Sequence, residues 1–425
     1  MKRHLGLRPC MAAAALCLSS AAMADSIPIL FVGNSYTFGR LDPVMSYNFA
    51  NVHDLTAAFN DASSTGSNPW EPHPWGGVPG IFKMMTVEAG LNYDVSISAR
   101  NAATLRGQFL NTANAAWDLR GNVASQTWGV VVLQEQSDAA LPAGRGKNAN
   151  LAQFNAYADQ FERFIHNGAA QTYTETQLYG SLSACMATGL SSGSCNTSRV
   201  IPQNTHASAS TQIYLTDTWA RPDMVFAHLI TTPDTTSPTG APIVDTSSAG
   251  GQAKLYYTAL KGMTEDLHAA FAAKLASNPN FAGVVAAGDA FQLALDMGVA
   301  KSSDFYNANG TFSTPQPGDL LNLWWDDYLH ASKYGSYLDA LVQYGTITGL
   351  NPALLGGGEI AAHDLGISVA DALTLQRVAS LQLGFAAPVP EPASWAMFGA
   401  GLALLASARL RRSRAAADLP SSRGA

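Results

Sequence analysis

The sequence predicts an α/β fold, a parallel sheet with helices on both faces. Three observations predict it. Short apolar runs of strand length at residues 29–32, 93–98, 128–133, 212–215 and 281–287 alternate with longer segments of helical spacing. The first run stops on glycine and delivers a hydroxyl, Gly33-Asn34-Ser35, at the end of the chain where parallel sheets open onto a ligand crevice. No internal repeat breaks the alternation, and the low-complexity stretches read as loops rather than linkers, so residues 25–385 are expected to form one domain.

Taken in order, residues 27–37 make the first strand and a polar turn. Residues 39–77 are a long irregular insertion with His53, His73, Trp70 and Trp75, and aromatic residues there suggest a sugar-binding rim or cap. Residues 78–89 are helical, carrying Ile81, Phe82, Met85 and Val87. Residues 93–98 alternate as the second strand, and 102–110 are helical. The third strand, 128–133, is followed by an amphipathic helix over 150–165. Residues 181–210 read as polar loop. The fourth strand begins at Gln212, and a second polar loop covers 231–250. A long helix is expected over 253–275, the fifth strand over 281–287, and a helix over 331–344; residues 351–383 are mostly helical.

Both ends have other roles. Lys2, Arg3 and Arg8 precede an apolar core at 11–18 and the small-x-small site Ala22-Met23-Ala24, so residues 1–24 read as a secretory signal. A linker at 386–392 contains Pro390-Glu391-Pro392. It leads to an apolar segment at 393–408, near the short limit for a membrane span, and then to Arg409, Arg411, Arg412 and Arg414. Removing the eight basic residues and the one acidic residue of the two ends from 24 and 31 leaves a net charge of about −14. That excludes nucleic acid and anionic membrane as expected partners of the body. Cys185 and Cys195 are the cysteines that remain after the signal, and export makes a disulfide between them the expectation. No histidine set has metal-ligand spacing, so no metal or other cofactor is expected.

The chemistry rests on two stretches about 290 residues apart. Ser35 is one. The other is Trp324-Trp325-Asp326-Asp327-Tyr328-Leu329-His330, where a carboxylate three residues before a histidine can accept its Nδ1–H and leave Nε2 to take a serine proton. Asp327 is the expected orienter and Asp326 the bystander. Gly33-Asn34-Ser35-Tyr36-Thr37 together with Asp327-x-x-His330 resembles the SGNH or GDSL superfamily of serine hydrolases, in the branch with a Gly-Asn-Ser-Tyr/Phe-Thr nucleophile motif. The resemblance implies a flavodoxin-like three-layer α/β/α sandwich with five strands in the order 2-1-3-4-5. It also implies an oxyanion hole built from the nucleophile's N–H, a glycine N–H after strand two and an asparagine side chain after strand three. This chain has Arg100-Asn101-Ala102-Ala103 where the glycine is expected, and Gln134-Glu135-Gln136 where the asparagine is. A backbone N–H of Asn101 or Ala102 and a side-chain amide of Gln134, Gln136 or Asn101 are therefore the candidate donors. Strand alternation would put the two glutamines on one face and turn Glu135 away.

The C-terminal Pro-Glu-Pro, short apolar segment and arginine cluster resemble a PEP-CTERM sorting tail. That resemblance implies export across an inner membrane, transient anchoring by the tail, a sorting protease as partner, and a periplasmic, cell-surface or matrix destination. The resulting expectation is a secreted serine esterase acting on O-acyl, including O-acetyl, esters of a small molecule or extracellular polysaccharide. Two rivals are a catalytically silent carbohydrate-binding surface protein and a lipid-directed esterase or thioesterase.

Overall fold

The computed structural model describes residues 25–58, 71–234, 240–245, 251–313, 316 and 318–385. The signal segment, the linker, the apolar tail and Trp70 lie outside the described residues.

Ile29, Leu30, Phe31 and Val32 are all at most 1% exposed, because strand β1 (Ile27–Gly33) is flanked on both edges and covered on both faces. The chain continues through a short helix α1 (Ser35–Phe38), an edge strand β2 (His53–Asp54), α2 (Gly77–Glu88) and β3 (Tyr93–Ala99). Next come α3 (Leu105–Leu110), α4 (Leu119–Val123), β4 (Val130–Gln134) and α5 (Leu151–His166). A small lobe follows: β5 (Gln171–Thr174), α6 (Glu175–Leu178), α7 (Leu182–Ala187), α8 (Ser192–Asn196) and β6 (Ser198–Ile201). The chain then returns to the sheet as β7 (Gln212–Thr216). It makes a hairpin, β8 (Thr231–Pro233) with β9 (Pro242–Val244), and the long helix α9 (Leu260–Ser277). The last elements are β10 (Gly283–Val285), α10 (Ala287–Asp296), α11 (Lys333–Thr348), α12 (Ile360–Asp364) and α13 (Val369–Gln382).

The central sheet is parallel throughout and runs β10-β7-β4-β1-β3-β2. Its five main strands follow the 2-1-3-4-5 order. The sixth, β2, adds an edge beyond β3 inside the stretch expected to be irregular. Helices cover both faces: Phe31 of β1 meets Phe82 of α2 edge-on at 5.4 Å, and on the other layer Phe154 of α5 meets Phe271 of α9 at 4.7 Å. The arrangement aligns the carboxyl ends of β1, β3, β4 and β7, and the loops leaving those ends carry the residues of interest.

Several boundaries differ from expectation. The polar stretch at 181–210 is loop only from 202 onward; up to Ile201 it is part of the small lobe. Its short helices are too poor in apolar residues to show a period, and each of α6, α7 and α8 is started by a Ser or Thr side chain. The 231–250 stretch contains the β8–β9 hairpin. Gly288-Asp289 belong to the first turns of α10, not to the end of a strand. The long helix begins at Leu260 rather than 253, and the helix after His330 begins at Lys333, capped by Ser332.

Candidate active site

At the end of β1 the backbone leaves no room for a side chain. A Cβ on Gly33 would lie 2.0 Å from Thr37 Oγ1 and 2.9 Å from Gln134 Oε1. Asn34 then ties the turn together. Its Oδ1 accepts the Tyr36 N–H at 3.1 Å, and its own N–H donates to Gln134 Oε1 at 3.2 Å. Its Nδ2 donates to the carbonyls of Ala103 and Glu135. The turn that carries Ser35 is thus bonded to the loops after β3 and β4, and Ser35 is fixed at the start of α1, 5% exposed.

The Asp327-His330 turn arrives from the far end of the sequence. Tyr328 N–H bonds Trp325 O, and Tyr328 adopts a left-handed φ of 52°, a conformation that costs a non-glycine residue and persists where surroundings enforce it. The enforcing contacts are aromatic. Tyr36 Oη and Trp219 Nε1 both donate to Leu329 O, at 2.8 and 3.0 Å. Tyr36 stacks on Trp219 with ring centroids 4.1 Å apart, and Trp219 stacks on Phe291. Trp324 Nε1 donates to Ala220 O.

The turn brings together the three residues expected from sequence. Ser35 Oγ lies 2.8 Å from His330 Nε2, and His330 Nδ1 lies 2.5 Å from Asp327 Oδ2. Asp327 Oδ1 accepts the N–H groups of Leu329 and His330, each at 2.9 Å. Burial works to raise the Asp327 carboxyl, but His330 and these hydrogen bonds outweigh it and hold the group below the usual carboxylate range. Asp326 is exposed at its surface, but partial desolvation of its carboxyl and the neighbouring Asp327 push it up, and no hydrogen bond joins it to His330 among the described residues.

The candidate oxyanion donors are spread differently from expectation. Gln134 Oε1 accepts from Asn34 N–H and from Thr37 Oγ1 at 3.1 Å, and its Nε2 donates to Glu135 O. Its visible work is to hold the turn that carries Ser35. Gln136 Nε2 donates to Ser137 Oγ at 3.1 Å. Among the described residues, no hydrogen bond joins either glutamine to Ser35. Asn101 is exposed and lines the cleft with His330. Ala102, in the stretch where the sequence has no glycine, holds a left-handed φ of 56°. Glu135 is not turned away: β4 ends at Gln134, alternation stops there, and the carboxyl is buried against the start of α3.

The relay opens on a cleft of about 280 Å³, lined among others by Arg40, Asn101, Asp223, Trp325 and Leu329. Its charges are paired. Arg40 meets Glu71 at 3.2 Å, Asp223 accepts a two-pronged bond from Arg221 at 2.9 and 2.5 Å, and Asp327 meets His330. The Arg40 guanidinium also lies 5.2 Å from the Trp325 ring centroid. One member of the expected aromatic rim is corrected here: Trp75 is 3% exposed, sandwiched between Phe38 and His73, so it is core, and among the described residues the tryptophan lining the cleft is Trp325. The contacts of Tyr36 and Trp219 with Leu329, and of Arg221 with Ser137, escaped sequence reasoning because those partners lie far along the chain.

Cys185 and Cys195 form the expected disulfide. Among the described residues no group of histidine, cysteine and carboxylate side chains is arranged to hold a metal ion, and no helix is long and apolar enough to cross a membrane. The expected span at 393–408 lies outside those residues.

No curated protein matches the chain. Among solved structures, it is similar to a "putative SGNH hydrolase" from Slackia heliotrinireducens (14% identity, 76% of this chain and 100% of that one, TM-score 0.33). It is also similar to a DUF4886 family protein from Bacteroides uniformis (10% identity, 85% and 96%, TM-score 0.37) and to phospholipase A1 from Streptomyces albidoflavus (12% identity, 76% and 99%, TM-score 0.32). Residues 388–412 match the PEP-CTERM protein-sorting motif. The chain therefore carries a PEP-CTERM sorting motif at its C-terminus, which implies a sorting system that recognises it.

Proposed function

We propose that this chain is an exported serine esterase of the SGNH type, acting on O-acyl esters. The observation that carries the reading is the unbroken run of short hydrogen bonds from Ser35 Oγ to His330 to Asp327, with partners 295 residues apart in sequence. Ser35 attacks the ester carbonyl as His330 Nε2 takes its proton; His330 then returns that proton to the departing alcohol. Water repeats the cycle on the acyl-Ser35 ester and releases the acid. Asp327 holds the imidazole in the tautomer with Nδ1–H and stabilises its cation. The Ser35 N–H and the Asn101-Ala102 backbone are the donors proposed for the oxyanion.

The cleft favours a short acyl group on a polar alcohol. Its described lining is mostly polar, with Leu329 and Pro242 as the aliphatic side chains, which suits a sugar hydroxyl ester better than a long lipid chain. A PEP-CTERM tail and a secretory signal are consistent with an extracellular polysaccharide as the acyl carrier, the tail anchoring the chain in the inner membrane until a sorting protease removes it.

The test is covalent labelling by a fluorophosphonate probe, with turnover of p-nitrophenyl acetate and octanoate. Labelling at Ser35 with acetate preferred is the expected result. Ser35→Ala should abolish labelling and lower turnover by about 10⁴ or more. A protein that resists the probe and turns over neither ester is not a serine esterase, and a preference for octanoate rejects the polar-substrate reading.

A further inference from the structure

Glu135 sits where three loops meet. It is 2% exposed, at the first position after β4. One carboxyl oxygen, Oε1, accepts two backbone N–H groups: Leu105 at 2.9 Å and Gln136 at 2.7 Å. Leu105 is the first residue of α3 and follows the Asn101–Ala103 loop by two positions. The backbone carbonyl of Glu135 accepts from Asn34 Nδ2, beside Ser35. Asn34 Nδ2 also donates to Ala103 O, which takes a second bond from Gln108 Nε2. The same residue therefore touches the loop after β3 through its side chain, the loop after β4 through its neighbour's amide, and the nucleophile turn through its backbone.

Such a joint matters because Ala102 is held at φ 56°, against the preference of a residue with a Cβ. Glycine would adopt that conformation freely; alanine needs its loop pinned on both sides. Arg100 N–H on Gly33 O pins the entry, and Leu105 N–H on Glu135 pins the exit. A buried acceptor for two amide donors is also costly to remove, since the Leu105 N–H would be left inside the protein without a partner and the half-buried Gln136 N–H would lose its own.

We propose that Glu135 is a positioning residue for the oxyanion site: its Oε1 clamps the exit of the Asn101–Ala103 loop and so aims that loop's backbone at the ester carbonyl bound to Ser35. The proposal rests on the esterase reading above. Both clamping bonds end on one oxygen. A carboxamide can supply that oxygen, whereas a shorter or apolar side chain cannot.

The experiment compares Glu135→Gln, Glu135→Asp and Glu135→Ala with the wild type on p-nitrophenyl acetate, well below each variant's melting temperature. The expected result is a kcat within about threefold of wild type for Glu135→Gln. For Glu135→Asp and Glu135→Ala it is a kcat lowered about tenfold to hundredfold with KM nearly unchanged, as misplacement of a site element by an ångström does. Unchanged kcat in Glu135→Ala, equal loss in Glu135→Gln and Glu135→Ala, or a change confined to KM overturns it. Amide hydrogen exchange on the wild type is read alongside. Strong protection of the Leu105 and Gln136 amides is expected, and fast exchange at either rejects the clamp even if a variant fails to fold. A wild type that is neither labelled nor active sinks the esterase reading, and with it the aiming role, while the exchange result still reports whether the clamp itself exists.

Discussion

The two oxygens of Asp327 have separate partners: Oδ2 meets the His330 ring, and Oδ1 takes the amides of Leu329 and His330. The second set keeps the carboxylate charged and still while the first orients the imidazole. Asp327→Asn keeps the shape but presents an amide that can donate to Nδ1, favouring the wrong tautomer. It should lower kcat for an aryl ester by about 10⁴, whereas Asp326→Asn should leave it within about twofold. Steady-state turnover of the two variants checks this, and equal losses would mean that the wrong aspartate has been assigned. The meeting of Ser35, Asp327 and His330 was legible in the sequence because the pattern that suggests it depends on residue type and on a local i, i+3 spacing. Glu135 was not. Its side chain was assigned by strand alternation, which has no authority one residue past the strand's end.

At the scale of elements, the lobe from β5 to β6 shows how a segment without apolar periodicity can be well built. Its anchor is Glu175, fully buried. Arg106 of α3 grips it at 2.6 and 2.7 Å, Arg199 at 2.6 Å and Tyr157 Oη at 2.7 Å. Burial raises this carboxyl, but the arginines and tyrosine outweigh that and hold it below its ordinary value. The disulfide closes the tip over a sequence separation of 10. Removing one partner from such a cluster leaves uncompensated charge. Glu175→Ala should therefore cost about 3–5 kcal/mol in guanidinium denaturation. A loss under about 1 kcal/mol would mean that the arginines find water instead. From sequence this region is a Ser/Gly/Thr-rich loop, since its stability comes from one charge cluster and one covalent bond, neither of which has a period. The disulfide itself was legible, because two cysteines in an exported chain have few alternatives.

For the whole molecule, three buried carboxyls set the response to pH. Burial pushes Glu135 and Asp339 up to about 7, and burial with Asp289 nearby raises Asp217 well above its ordinary value. Unfolded, these groups titrate near 4. Between about pH 4 and 7 the folded chain thus binds protons that the unfolded chain has released, so stability falls as pH rises through that window. Glu135 and Asp339 each account for on the order of 3 kcal/mol of that loss. Asp327, Asp138 and Glu175 are depressed instead, and their contributions are lost only in stronger acid. The melting temperature should be higher at pH 5 than at pH 8, and Asp339→Asn should flatten the difference. A melting temperature that rises from pH 5 to pH 8 would contradict the assignment of these groups as protonated when folded.

At this scale the division between sequence and structure follows the range of the interactions. Apolar runs of strand length, a glycine before a serine, a carboxylate three residues before a histidine and two cysteines in an exported chain are local patterns. They determined the α/β class, the strands of the sheet's centre, the candidate relay and the disulfide. The order 2-1-3-4-5 came from family resemblance, since strand composition carries no address for a neighbour. Tertiary structure alone decided what depends on distant partners. Edge strand β2 is two residues long and exists because β3 offers it a ladder. Trp75 is core and Trp325 lines the cleft because of what packs on each, and indole hydrophobicity is the same in both. Gln134 serves Asn34, 100 residues away, and Glu135 serves Leu105, 30 away, because a side chain at a strand end bonds to whichever backbone donors the fold delivers there.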